Sequence, residues 1–220
     1  DRVLDKAAAR FKDAKRFHDF REMYDQLGDK IDAVTVSTPD HTHAVASVMG
    51  MKRGKHCFTQ KPLTHSIYEA RVMGQVAREN GLATQMGNQG TASSDLRRAA
   101  AQIKAGAIGT VTEVHTWTNR PVWPQGIERP TDNPPIPDHL HWEEFLSVAP
   151  FRPYSPAYTP FKWRGWWDFG GGRIADIGSH ALDWVFSALK LKYPLSAEAE
   201  GRFEAGDERA ADCLKVKWEF

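Results

Sequence analysis

Hydrophobic and polar positions alternate with two different periods along the first 90 residues. Asp19 with Glu22 three positions on has the form of a capping box, opening a short helix through Leu27 that Gly28 stops. IDAVTVS, 31–37, is a compact β-branched run and predicts a strand. A helix is predicted from about His41 to Arg53, ended by Gly54, followed by a short strand at KHCF, 55–58. Between Ser66 and Asn80 the apolar residues Ile67, Ala70, Val72, Met73, Val76 and Ala77 recur at helical spacing, with Gly81 just past the end. LATQM, 82–86, is the third strand. Strands separated by helices of this length need right-handed crossovers, hence a parallel sheet, expected here to be covered on both faces as in doubly wound α/β folds.

The pattern changes after Gln89. A helix is predicted from about Ser94 to Ala105, and TVTEVHTWTN, 110–119, has the composition of a strand in a second, antiparallel sheet. Ten of the thirteen prolines fall between Arg120 and Gly165, a stretch too long and too proline-rich to be regular throughout. A short helix at Trp142–Ser147 is expected to punctuate it. Three glycines, 170–172, precede a helix from about Ile177 to Leu189, and AEAEGRFEA and the last ten residues read as strands. In that last segment Cys213, Lys215, Lys217 and Glu219 alternate with Leu214, Val216, Trp218 and Phe220, an alternation expected to continue past Phe220. The chain therefore divides into an α/β unit, 1–90, and an α+β unit with an open, mostly antiparallel sheet, 91–220.

Composition mainly excludes. With 29 Lys plus Arg against 28 Asp plus Glu, the net charge of +1 offers no broad field for a nucleic-acid backbone or an anionic bilayer. No apolar run approaches the ~20 residues that cross a membrane. Cys57 and Cys213 form neither a disulfide framework nor a CxxC pair. The chain starts without Met and reads from its first residue like the middle of a protein, so cellular location stays open.

The chemistry gathers behind the strands. Thr38-Pro39-Asp40-His41-Thr42-His43 follows the first, Thr59-Gln60-Lys61-Pro62 the second and Gly87-Asn88-Gln89 the third. In a parallel sheet all three lie at the carboxyl edge, where ligands bind. Lys61 is held by Pro62 and precedes a helix whose N-terminal partial charge disfavours an ammonium, which suits a proton relay. Further on, Asp176, His180 and Asp183 would share one helical face, as a general base and its carboxylate partners or as a capped helix with a packed histidine. His41, His43, Asp138, His139 and His141 could join them around a metal, but their spacing matches no recognised ligand pattern and no metal is assigned. Six of the eight tryptophans lie between 123 and 184, with Tyr154 and Tyr158 among them, suiting a carbohydrate platform, a packed loop or a subunit interface.

STPDHTH, TQKPL, MGNQ, KWRGWW and GGGRIADIGSHALD, in this order, resemble the Gfo/Idh/MocA oxidoreductases. The resemblance implies a Rossmann domain, here 1–90 and incomplete, joined to an α+β domain for substrate binding and oligomerisation, 91–220. It implies NAD or NADP as cofactor and a small-molecule sugar, glycoside or polyol as substrate; the sheet face left open by an α+β domain adds the expectation of a homo-oligomer, and the charge balance that of no nucleic-acid or membrane partner. Lys61, Asp176 and His180 match the family's catalytic residues: His180 would take the hydroxyl proton, assisted by Lys61 and oriented by Asp176. Thr38, Pro39, His43, Gln60, Lys61, Pro62, Asn88, Trp163 and Arg164 would contact the cofactor, and Lys61, Trp123, Tyr158, Asp176 and His180 the substrate. Redox-assisted glycoside cleavage and a non-catalytic sugar-binding role are the alternatives on the same fold.

Two departures accompany the likeness. The GxGxxG turn that would hold a pyrophosphate is absent, with no Gly-rich turn before Gly28, so the first βαβ unit is expected to lie upstream of residue 1. Gln60 stands where the family usually has Glu, and the missing charge is expected to favour a neutral Lys61.

Overall fold

The computed structural model describes residues 2–120, 128–202, 208–211 and 213–220. Three short parallel strands, β1 (Ala33–Val36), β2 (His56–Thr59) and β3 (Thr84–Met86), form one sheet in the order β1-β2-β3. The register pairs Val34 with Cys57 and Cys57 with Thr84. Helix α3 (Asp40–Lys52) connects β1 to β2, and α4 (Ile67–Glu79) connects β2 to β3. A full capping box starts α4: Ser66 Oγ accepts from the Glu69 amide at 3.3 Å, and Glu69 Oε2 accepts from the Ser66 amide at 2.8 Å.

Val36, Ala44, Ala46, Met51, Cys57, Met73 and Val76 form the core beneath these helices. Each larger side chain among them contributes about 1.5–3 kcal/mol by leaving water. Among the described residues only one face of the sheet is covered, contrary to the expectation of two, since Ala33, Thr35 and Gln85, which share the other face, are exposed. Two successive right-handed crossovers that step in the same direction place both helices on the same side. Covering the other side needs a reversal of strand order, and the described strands contain none.

Two N-terminal helices precede the sheet. Helix α1 (Arg2–Arg10) has no counterpart among the elements predicted from the sequence, whereas α2 (Phe20–Leu27) starts where expected. Asp19 caps α2 by accepting from the Arg21 amide at 2.8 Å. Gly28 does not turn the chain left-handed; at φ −50° it leads into a short 3₁₀ turn, Gly28–Lys30.

Helix α5 (Ser94–Lys104) follows β3, but residues 110–119 form no strand. Their β-branched composition fits a pleated surface only where a neighbour supplies ladder bonds, and among the described residues none does. Helix α6 (Trp142–Leu146) interrupts the proline-rich stretch. Its Trp142 and Leu146 join Tyr158, Trp163, Trp166 and Phe169 in a second core. Tyr158 is only 2% exposed and packs against Trp142, Trp166 and Phe169. Tyr158, expected as a substrate contact, is thus placed in this core, and Trp123, expected as another, lies outside the described residues.

Helix α7 (Ser179–Leu189) follows a π turn, Ile174–Gly178, and antiparallel β4 (Ser196–Arg202) and β5 (Cys213–Glu219) complete the chain. The alternation expected in β5 is present: Leu214, Val216 and Trp218 are half-buried and the residues between them exposed. A parallel α/β part is thus followed by a mixed part with an antiparallel sheet, as the sequence pattern predicts.

The glycines before the π turn are required sterically. A Cβ on Gly170 would stand 2.7 Å from the Cα and 2.9 Å from the carbonyl oxygen of Arg164, and Gly172 has φ +60°. Gly170→Ala is expected to destabilise the protein by about 1–3 kcal/mol, read as a lower midpoint in urea unfolding, because backbone rather than a side-chain tip must yield.

Candidate active site

Every strand end of the parallel sheet reaches into one segment of the second part of the chain. After β1, Asp40 Oδ2 accepts from the Gly171 amide at 3.3 Å. The next residue, His41, donates its amide to the Phe169 carbonyl at 3.3 Å, and its ring nitrogens lie 2.8 Å from the Phe145 carbonyl and 3.2 Å from that of Phe169. After β2, Lys61 Nζ donates to the Asp176 carbonyl at 2.7 Å and makes a short ion pair with its carboxylate. After β3, Asn88 Nδ2 donates to the Ser179 carbonyl at 3.0 Å and Thr91 Oγ1 donates to Asp183 Oδ2 at 2.5 Å. The order of strands across the sheet, β1-β2-β3, is thus the order of their contacts along residues 169–183.

Lys61 and Asp176 are each 17% exposed, so their pairing is shielded but not dry. The π turn explains why one residue supplies two acceptors. A widened turn frees backbone carbonyls from the helical ladder, and here the carbonyl and the carboxylate of Asp176 both face the amine. This differs from the expected geometry, in which Asp176 and His180 sit one helical turn apart with the carboxylate against the imidazole. Asp176 is turned to Lys61, and Asp183 to Thr91. Both carboxylates act on half-buried His180 through their field. Burial, then Lys61, lowers the His180 pKa below its ordinary value, and Asp176 and Asp183 oppose that shift.

Beside the pair lies a cavity of about 180 Å³ lined by Ser37, Thr38, Asp40, Gln60, Lys61, Trp163 and Arg164. The Arg164 guanidinium lies between the rings of Phe161 and Trp163, 4.3 and 4.2 Å from their centroids, with Nε 3.8 Å from Asp176. Gln60 fits because residue 87 is glycine; a Cβ there would stand 2.4 Å from Gln60 Oε1.

His43 and Pro62 stand behind this wall rather than in it. The His43 ring is 1% exposed and bridges the Pro62 and Thr38 carbonyls at 2.7 and 2.8 Å, tying the first two strand ends together. Burial lowers the pKa of both His41 and His43, with the facing carbonyls pulling upward. His43, expected at the cofactor, here supports the loops that carry Thr38 and Lys61. Pro39 precedes α3, and its carbonyl accepts from the Thr42 amide at 3.0 Å.

Two residues of this wall, Ser37 and Asp40, are assigned no part by the sequence pattern, and Asp40 is the charged one. Asp40 is 5% exposed, and burial pushes its pKa up to about 6 against the opposing pull of the Gly171 amide, Lys61, Arg164 and His65. Its position between Pro39 and His41 in a motif was visible; its burial and its partner across the chain were not.

The residues present suit the nicotinamide end of a dinucleotide. The cavity is small, polar at Ser37, Thr38, Gln60 and Lys61 and aromatic at Trp163, and outside its lining, at the end of β3, the buried Asn88 Oδ1 has no hydrogen-bond partner. The described residues contain no glycine-rich cradle for a pyrophosphate.

Known proteins share the fold. The chain matches an oxidoreductase family with an NAD-binding Rossmann fold over residues 2–88, and the C-terminal alpha/beta domain of such oxidoreductases over residues 102–208. The chain belongs to the Gfo/Idh/MocA oxidoreductases. It is 31% identical over 113 residues to the NAD-dependent scyllo-inositol 2-dehydrogenase of Bacillus subtilis (strain 168), a match covering 51% of this chain and 30% of that enzyme. Among solved structures it resembles the WlbA dehydrogenase of Chromobacterium violaceum in complex with NADH and UDP-GlcNAcA, at 18% identity and TM-score 0.65, covering 99% of this chain and 53% of the other. It also resembles GenD2 from gentamicin A biosynthesis in complex with NAD, at 20% identity and TM-score 0.64, covering 100% and 52%. At such identities the two structures speak for the fold. No helix among the described residues is long and apolar enough to cross a membrane.

Proposed function

We propose that the complete protein is an NAD(P)-dependent oxidoreductase that moves a hydride between a nicotinamide cofactor and the hydroxyl-bearing carbon of a sugar, glycoside or polyol. The observation that carries this reading is the Lys61–Asp176 pair, made across two parts of the chain, with His180 in its field and a cavity alongside. The bound nicotinamide supplies the hydride acceptor. Thr38, Gln60, Asn88, Trp163 and Arg164 would hold its nicotinamide end. His180, neutral at neutral pH because burial and Lys61 both disfavour its cation, removes the hydroxyl proton. Lys61 donates a hydrogen bond to the same oxygen and is oriented by Asp176. The name of the Bacillus relative, a scyllo-inositol dehydrogenase, supports a polyhydroxylated substrate. We also infer a homo-oligomer, for which the exposed residues of β4 leave a sheet surface available.

Full-length protein mixed with NAD or NADP and a panel of polyols and sugars is expected to accumulate reduced nicotinamide, and His180→Ala to lower kcat by about 100-fold or more. Release of phenol from a nitrophenyl glycoside without net reduced nicotinamide would overturn this reading in favour of redox-neutral cleavage.

A further inference from the structure

We propose that Asp40 is a positioning residue: its carboxylate holds the glycine turn that precedes Asp176, and thereby sets how Asp176 meets Lys61. Only the kinetic arm of its test depends on the oxidoreductase reading.

Residues 170–172 offer no side chain by which to be held, and glycines lose the most conformational freedom on ordering. The turn must be fixed through its backbone, and Asp40 Oδ2 accepts the Gly171 amide at 3.3 Å. His41 fixes the approach to the turn by bonding the Phe169 carbonyl. Five residues beyond Gly171, Asp176 is held by Lys61. The segment is thus held upstream at Phe169 and downstream at Asp176, Ser179 and Asp183, and the Asp40 bond fixes the glycine turn that lies between these two sets of attachments. Asp40 also lines the cavity with Lys61 and Arg164 without bonding either directly, so its reach into the site runs through the turn.

The residue is retained at a cost. Its neighbours are the cations Lys61 and Arg164, then His65, with His41 and His43 on its own helix. Even so, burial raises its pKa from 3.8 to about 6. The folded state therefore holds the proton more tightly than the unfolded chain, and stability falls as pH rises from about 4 through about 6. Asparagine offers the same acceptor with no charge to bury, so stability and positioning separate in one variant.

The test compares Asp40→Ala and Asp40→Asn in the full-length protein by Gly171 amide exchange, melting temperature at pH 8, and kcat and KM. Alanine is expected to speed Gly171 exchange about tenfold or more and to lower kcat about 10- to 100-fold with KM little changed. Asparagine is expected to restore Gly171 protection and most of kcat, with a melting temperature at or above that of the wild type. Unchanged Gly171 exchange in the alanine variant would overturn the proposal. So would an asparagine variant that regains protection without kcat, since the charge and not the position would then matter. If the alanine variant does not fold, the asparagine variant decides alone: retained protection with a raised melting temperature supports the proposal, and faster exchange ends it. A wild type that shows the expected exchange but no nicotinamide-linked turnover overturns the functional reading and leaves the latch standing.

Discussion

Lys61→Met should lower kcat by about 100-fold or more, with a smaller loss of stability. The methionine fills much the same volume but donates nothing to Asp176, and a carboxylate only 17% exposed then loses its hydrogen-bonding partner, with Arg164 Nε left 3.8 Å away. Leaving such a group unsatisfied costs about 1–3 kcal/mol, visible as a lower denaturation midpoint. Lys61→Arg separates the roles of the amine. A guanidinium preserves the charge and can still pair with Asp176, but its longer, planar fork cannot set one N–H on the substrate oxygen as the ammonium does, so activity is expected to stay low while stability returns. An arginine variant with near wild-type kcat would mean that Lys61 contributes charge alone.

The second large effect is on pH dependence. His180 works as a base only when neutral, so the rate should climb with pH through a value below 6.5, the ordinary imidazole value, because burial and Lys61 lower its pKa. Asp183 opposes that shift, and Asp183→Asn removes its charge while leaving an oxygen for Thr91. The acidic limb of the pH–rate profile should therefore move to lower pH. Lys61→Met removes a cation and should move the same ring the other way, measured by NMR titration of His180 because that variant turns over slowly. Shifts in the same direction in both variants would show that charge does not govern this histidine. Raised salt should shrink both shifts, as the ring is half exposed to screening.

The convergence of three strand-end clusters was legible because a parallel sheet leaves no choice about which edge they share. The partner of each side chain was not legible. Helical spacing pointed Asp176 at His180, but the π turn changes the angular step, and three glycines in a row do not announce one. His43 carries a motif, yet both its ring nitrogens are taken by the Thr38 and Pro62 carbonyls, contacts that depend on how two loops pack. Tyr158 illustrates a different limit: an aromatic with a polar tip suits a sugar platform and a core equally well, and only burial decides. Residues 110–119 and the uncovered sheet face share one cause, since composition reports the preference of a segment and not whether a neighbour exists to satisfy it.

The matching order of strands and contacts makes residues 171–183 a ruler laid across the sheet edge. Adding one residue to a helical stretch advances every later residue by about 1.5 Å and rotates it by about 100°. A single insertion between Gly171 and Asp176 would leave the Asp40 rung intact and throw the Lys61, Asn88 and Thr91 rungs out of step at once. The length of this stretch is therefore as much a part of the chemistry as the residues it carries.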